Sequence, residues 1–147
     1  MAACCAAAAT GAMFQPGEWY RALSKPSWTP PNWLFPIAWT ILYVLIAVAA
    51  ARVAVFEGAA LAMAFWAFQI ACNTLWTPIF FGLRRLGPAM IAISALWIAV
   101  CGTLITFYRI DIVAGWMIAP YLVWVSYAAA LNFSIWRRNP DVAPPAD

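Results

Sequence analysis

No charged residue interrupts positions 26–51, 58–83, 86–108 or 112–136 of this 147-residue chain. Each run exceeds the roughly 20 residues that an α-helix needs to cross the hydrocarbon core of a bilayer. A transmembrane barrel would instead show short segments of alternating polarity, and none is present. Composition agrees with helical spans. Hydrophobic residues make up 67% of the chain and charged residues 9%, against roughly 25% charged in soluble domains. Four membrane spans are therefore expected.

Residues 1–12 are uncharged and Ala-rich, which suggests a fifth helix that is too short to cross a bilayer alone. They lack the basic stretch of a secretory signal and are not read as cleavable. The expected layout is a helix to about residue 12, a loop over 13–34, and helices near 35–55, 60–82, 87–107 and 113–136. Short connections make successive helices antiparallel neighbours, so residues 1–138 read as one bundle. Residues 139–147 read as a disordered Pro/Ala-rich tail. Pro88 suits a first helical turn. Pro78 and Pro120 fall inside helical runs and are expected to kink or open them.

Charge orients the chain. With five spans, Arg21, Lys25, Arg84, Arg85, Arg137 and Arg138 share one side, and Arg52 and Arg109 share the other. The positive-inside rule then places the C-terminus and the loop after the first helix in the cytoplasm. A net charge of +3 forms no polyanion-binding stripe, so nucleic acid is not an expected partner. The chain has no His, and its four Cys show no metal-ligand spacing, so no metal site and no required cofactor are expected. No acid–base pair or nucleophile stands out, and no ring of charges lines a channel.

The chain holds ten Trp. The densest stretch is Trp19-Tyr20-Arg21-Ala22-Leu23-Ser24-Lys25-Pro26-Ser27-Trp28-Thr29-Pro30-Pro31-Asn32-Trp33-Leu34-Phe35-Pro36-Ile37-Ala38-Trp39. Its prolines favour turns and extended backbone, and indoles suit a membrane interface. The reading is a structured Trp/Pro-rich loop at the bilayer surface.

Three helices carry aromatic-plus-polar stripes at helical spacing. Helix 2 presents Trp39 and Tyr43, helix 3 presents Gln69, Asn73, Trp76 and Phe80, and helix 5 presents Tyr121, Trp124, Ala128 and Asn132. Amides inside a span are costly unless they face protein or a cavity, so the helix 3 stripe is expected to point inward. Brought together beneath Trp28 and Trp33, the stripes would wall an aromatic cavity. The same stripes also suit plain packing or an interfacial belt. Opposite them, Ala60, Ala64, Ala67 and Ala71 form a small-residue seam. It fits packing within one chain or a homodimer interface through helix 3.

These motifs resemble the signature of the translocator protein family, also called tryptophan-rich sensory proteins or peripheral-type benzodiazepine receptors, and the chain looks like a bacterial member. The pattern W-Y-x-x-L-x-K-P-x-W-x-P-P begins at Trp19 and is followed by Trp39-Thr40-Ile41-Leu42-Tyr43. Asn73-Thr74-Leu75-Trp76-Thr77-Pro78-Ile79-Phe80-Phe81-Gly82 and Pro120-Tyr121-Leu122-Val123-Trp124 follow in the expected order. The resemblance implies an all-α membrane protein with a bundle of five transmembrane helices, the first apparently shortened. It also implies a homodimer and a ligand pocket lined at Trp39, Trp76, Trp124 and Ala128. The candidate ligand-binding set is Trp33, Phe35, Trp39, Tyr43, Asn73, Trp76, Tyr121, Trp124 and Ala128.

The implied role is a membrane receptor or transporter for hydrophobic planar ligands. Porphyrins such as protoporphyrin IX and haem come first, with sterols and benzodiazepine- or isoquinoline-type drugs behind them. A porphyrin would stack on Trp39 and Trp124 while its propionates reach Lys25. The alternatives are light-dependent oxidative degradation of protoporphyrin IX, with Trp39 and Trp124 as redox partners, and a sensor that regulates tetrapyrrole metabolism. The sterol-recognition pattern claimed for some family members is incomplete here, because Phe133 stands where Tyr is required between Leu131 and Arg137.

Overall fold

In the computed structural model, which describes Cys4, Ala7 and residues 17–140, every charge-free run contains a helix. The elements among the described residues are α1 (Glu18–Ala22), α2 (Leu34–Val53), α3 (Ala60–Thr77), a π-helical turn (Pro78–Gly82), α4 (Leu86–Ile110) and α5 (Ile112–Arg138). The helix expected over residues 1–12 lies outside the described residues, except for Cys4 and Ala7, which are helical and buried. The expected tail also lies outside them beyond Pro140. Asn139, placed in that tail from sequence, is instead tied to the fold through its side chain.

Three of the expected spans, α2, α4 and α5, are long and apolar enough to cross a membrane. The fourth is divided. Helix α3 has 18 residues, which is about 27 Å at 1.5 Å per residue, and it carries the buried amides Gln69 and Asn73. Pro78 then opens the helix into the π-turn, closed by Leu83 N–H donating to the Pro78 carbonyl at 2.8 Å. The second internal proline behaves differently, because Pro120 sits inside an unbroken α5.

Short loops do not make every successive pair close neighbours. Helices α4 and α5 pack along their length, α3 packs on α4, and α2 packs chiefly on α5. Helices α2 and α3 touch only lightly, which corrects the expectation that each helix lies against the next. A cavity of about 350 Å³ separates them, lined by Ala47, Val48, Ala50, Ala51 and Ala54 of α2 and its C-cap and by Met63 and Trp66 of α3. Side chains as small as Ala leave that space unfilled.

Two glycines permit the closest approaches. A Cβ on Gly115 would stand 2.7 Å from the Tyr108 Cα, and one on Gly102 would stand 2.4 Å from the Phe65 ring. A single residue, Asp111, joins α4 to α5. Its carboxylate caps α5 by accepting from Val113 N–H (2.9 Å) and Ala114 N–H (3.4 Å). It also accepts from Arg52 Nε at 2.7 Å, which ties the end of α2 to the start of α5. That hydrogen bond from Arg52 holds the Asp111 carboxyl below the usual carboxylate range.

The outer surface is apolar. Ile41, Val44, Leu61, Phe68, Leu75, Ile91, Ile98, Ile105 and Val123 are all exposed. Soluble monomers rarely expose such continuous apolar surface. Lipid is its natural solvent.

Candidate functional site

An unbroken chain of rings runs through the interface of α2 and α5. Phe35, Trp39 and Tyr43 recur every four residues along α2, which stacks them on one helical face. Tyr121, Trp124 and Ala128, spaced three and then four residues apart, likewise share one face of α5. Trp39 stacks on Tyr43 with centroids 5.4 Å apart and meets Tyr121 at 6.1 Å and Trp124 at 6.5 Å, both edge to face. Phe35 meets Trp124 at 5.9 Å. Ala128 is half-buried against the same core.

Helix α3 supplies the polar end. Asn73 Nδ2 donates to the Tyr43 hydroxyl at 2.7 Å, and the Tyr121 hydroxyl donates to Gln69 Oε1 at 2.9 Å. Gln69 and Asn73 are only 1% and 2% exposed. Gln69 Nε2 has no hydrogen-bond partner, nor do both polar atoms of Asn132 and the indole nitrogens of Trp66 and Trp76. Buried polar groups normally find partners. This core therefore holds unspent donors next to its aromatic rings.

Two predicted residues lie elsewhere. Trp33 is 64% exposed, because as the N-cap of α2 it sits in the preceding turn with its side chain outside the bundle. Trp76 is buried, but its rings of contact are Phe80 (5.4 Å) and Phe81 (6.1 Å). The π-turn brings these successive phenylalanines onto one cluster with Tyr20, at 6.1 and 5.5 Å. Burial pushes the Tyr20 phenol up to about 12.

Lys25 is not free to meet a ligand carboxylate. Its ammonium donates to the carbonyls of Tyr20 (2.6 Å), Arg21 (3.0 Å) and Leu23 (3.3 Å), and it lies 4.8 Å from the Tyr20 ring centroid. Those three bonds use all three of its donors. The cation terminates α1.

Tyr127 is the residue that sequence reasoning missed. It stacks on Trp124 at 6.0 Å, meets the Trp28 ring at 5.5 Å, and donates its hydroxyl to the Trp28 carbonyl at 2.6 Å. Its position three residues after Trp124 was the available signal. Ala60, Ala64, Ala67 and Ala71 are all exposed, on the side of α3 away from Gln69 and Asn73. Among the described residues, no group of His, Cys, Asp and Glu could hold a metal ion.

Lipid-facing helices around a buried core of rings and amides define an all-helical integral membrane protein. A model of the TspO/MBR family matches residues 1–137. The protein CrtK of Rhodobacter capsulatus is 55% identical, with 97% of this chain and 91% of that one covered. The tryptophan-rich sensory protein of Cereibacter sphaeroides is 49% identical, covering 95% and 88%. The human translocator protein is 33% identical, covering 88% and 81%. This chain belongs to the TspO/MBR family.

Proposed function

We propose that the chain is a membrane receptor or transporter for flat hydrophobic ligands, porphyrins foremost, that bind between α2 and α5. The carrying observation is the contact of Trp39 with Trp124 beside the amides of α3. Large rings supply apolar area and stacking, and a few convergent polar groups orient what enters. The rings touch one another, so a macrocycle would have to part Trp39 from Trp124. With no His in the chain, stacking rather than iron ligation would hold it, and free-base protoporphyrin IX and haem should bind alike. Sterols and benzodiazepine- or isoquinoline-type drugs are further candidates on the same apolar grounds.

The names of the relatives, a sensory protein and a translocator, support a binding role. The proposed assembly has five spans, with the C-terminus and the segment before α2 in the cytoplasm. The proposed dimer pairs the exposed Ala60, Ala64, Ala67 and Ala71 seam with its copy. A second reading, light-dependent oxidation of bound protoporphyrin by dioxygen, rests on the same Trp39 and Trp124 contact.

The test is quenching of Trp fluorescence by protoporphyrin IX in the dark and then under illumination, with Trp39→Phe/Trp124→Phe beside the parent. Saturable quenching that weakens in the double variant is expected. Quenching that does not saturate, or that is the same in both proteins, overturns the site. A new absorbing product that forms only with both Trp present would favour the oxidative reading.

A further inference from the structure

A cavity of about 620 Å³ lies away from the aromatic core, where α1 meets the π-turn. Gly17, Glu18, Trp19, Ala22, Phe81 and Arg84 line it. Its volume falls within the roughly 300–1,000 Å³ of small-molecule sites. Two of its walls are fixed by packing behind them. Trp19 rests edge-on against Phe80 at 6.1 Å, and Phe81 is held by Phe80 at 4.7 Å and Tyr20 at 5.5 Å.

The charges are the unusual part. Glu18 and Arg84 share the cavity, yet the one ion pair among the described residues is Arg52 with Asp111. Opposite charges left unpaired on one cavity are complementary to a molecule that carries both signs. Arg84 also sits at φ 55°, the single non-glycine residue with positive φ among those described. Such backbone normally costs a non-glycine residue of order 1–3 kcal/mol. Glycine would sit there without strain; Arg84 places a guanidinium on the cavity at a local backbone cost.

We propose that this cavity binds the headgroup of a zwitterionic phospholipid carrying a primary ammonium, a phosphatidylethanolamine, with Arg84 taking the phosphate and Glu18 the ammonium. The site follows directly on a lipid-facing helix, and the neighbouring Leu83 is exposed where acyl chains would lie. Arginine matches phosphate oxygens as a planar fork of donors. A primary ammonium has three N–H groups to give to a carboxylate and can also sit on the Trp19 face. A choline headgroup has no N–H to donate. A purely anionic headgroup would meet the Glu18 carboxylate without compensation.

The experiment is native mass spectrometry of the full chain in detergent, titrated with phosphatidylethanolamine, phosphatidylcholine and phosphatidylglycerol of identical acyl chains. Ethanolamine lipid should be retained about tenfold better than the other two, the value of one charge-assisted hydrogen bond. Glu18→Gln and Arg84→Gln should each remove about that preference. Arg84→Gly guards against misfolding, because it relieves the positive φ; it should fold as well as the parent and still lose the preference. Equal retention of all three lipids overturns the proposal. So does a preference that Glu18→Gln leaves intact. Water-soluble phosphoethanolamine should compete poorly; if it competes as well as the lipid, the ligand is a free phosphate ester and the lipid assignment fails.

Discussion

Replacing Gly115 with Ala tests the packing that sets α5, and with it Tyr121 and Trp124, against the rest of the bundle. The added Cβ would lie 2.7 Å from both Cα and Cβ of Tyr108. Carbon atoms at ordinary contact stand roughly 3.5–4.0 Å apart, so the helices must separate by about 1 Å. The obstructing atoms belong to α4 itself, and the one-residue connector at Asp111 leaves little length to absorb the shift. Overpacking of this kind costs about 1–3 kcal/mol, and this site belongs near the top of that range. The gain in helix propensity from Gly to Ala, about 1 kcal/mol, offsets part of it. The expected net loss is about 1–2 kcal/mol.

Gly102 supplies the internal comparison. Its Cβ would come closer, 2.4 Å, but to the ring of Phe65, which is half-buried and can turn aside. The propensity gain then cancels most of the strain, and Gly102→Ala should be within about 0.5 kcal/mol of the parent. Reversible unfolding in mixed micelles, followed by Trp fluorescence, would rank the two. A distance-only argument gives the opposite order. If Gly102→Ala is the more damaging, or Gly115→Ala is neutral, the backbone-against-side-chain reasoning is wrong.

Two further outcomes follow from the polar contacts. Tyr43→Phe should cost about 0.6–1.7 kcal/mol, the range for hydrogen bonds between membrane helices; Tyr121→Phe should cost more, because it would leave Gln69 with neither end bonded, and the same micelle unfolding assay compares them. The stabilising contribution of the Asp111 carboxylate should be complete above its unfolded pKa of about 3.9 and fade as pH falls below that, since its folded pKa is lowered. Unfolding of the parent and Asp111→Asn compared between pH 3 and pH 6, taken as rough bounds around that value, should show the difference shrinking on the acid side only; a constant difference would remove the Arg52 pairing as its cause.

The sequence made the helices legible because charge-free length is a local property. Expected bounds of 87–107 and 113–136 stand against Leu86–Ile110 and Ile112–Arg138. The larger errors come from stopping short at Tyr108 and Arg109, which continue the last turn of α4, and at Arg137 and Arg138, which continue that of α5. Facing was legible too, since Gln69 and Asn73 are buried while the alanines opposite them are exposed. Partnership was not. Trp76 shares a helical face with Asn73, yet the π-turn after it brings Phe80 and Phe81 to its ring, and no spacing rule foretells that extra residue in the turn. Lys25 looked like a free cation until the end of α1 placed three carbonyls around it. The light contact of α2 with α3 depends on which pair of helices packs best, which is a property of the whole bundle.

Asn139 exchanges two hydrogen bonds with the Ser24 backbone, both at 3.0 Å, while Tyr127 holds the Trp28 carbonyl. The five-residue stretch from Ser24 to Trp28 is thus pegged to α5 and its C-cap at two points roughly 18 Å apart along the helix rise. Its four residue-to-residue steps reach at most about 14 Å even when fully extended, so the two side chains must lean toward each other to hold it. A strap with so little slack cannot slide along α5. It can only bow outward, and only after one peg lets go. The peg that matters beside the aromatic rings is Tyr127, which stacks on Trp124; releasing Asn139 would loosen only the far end of the strap.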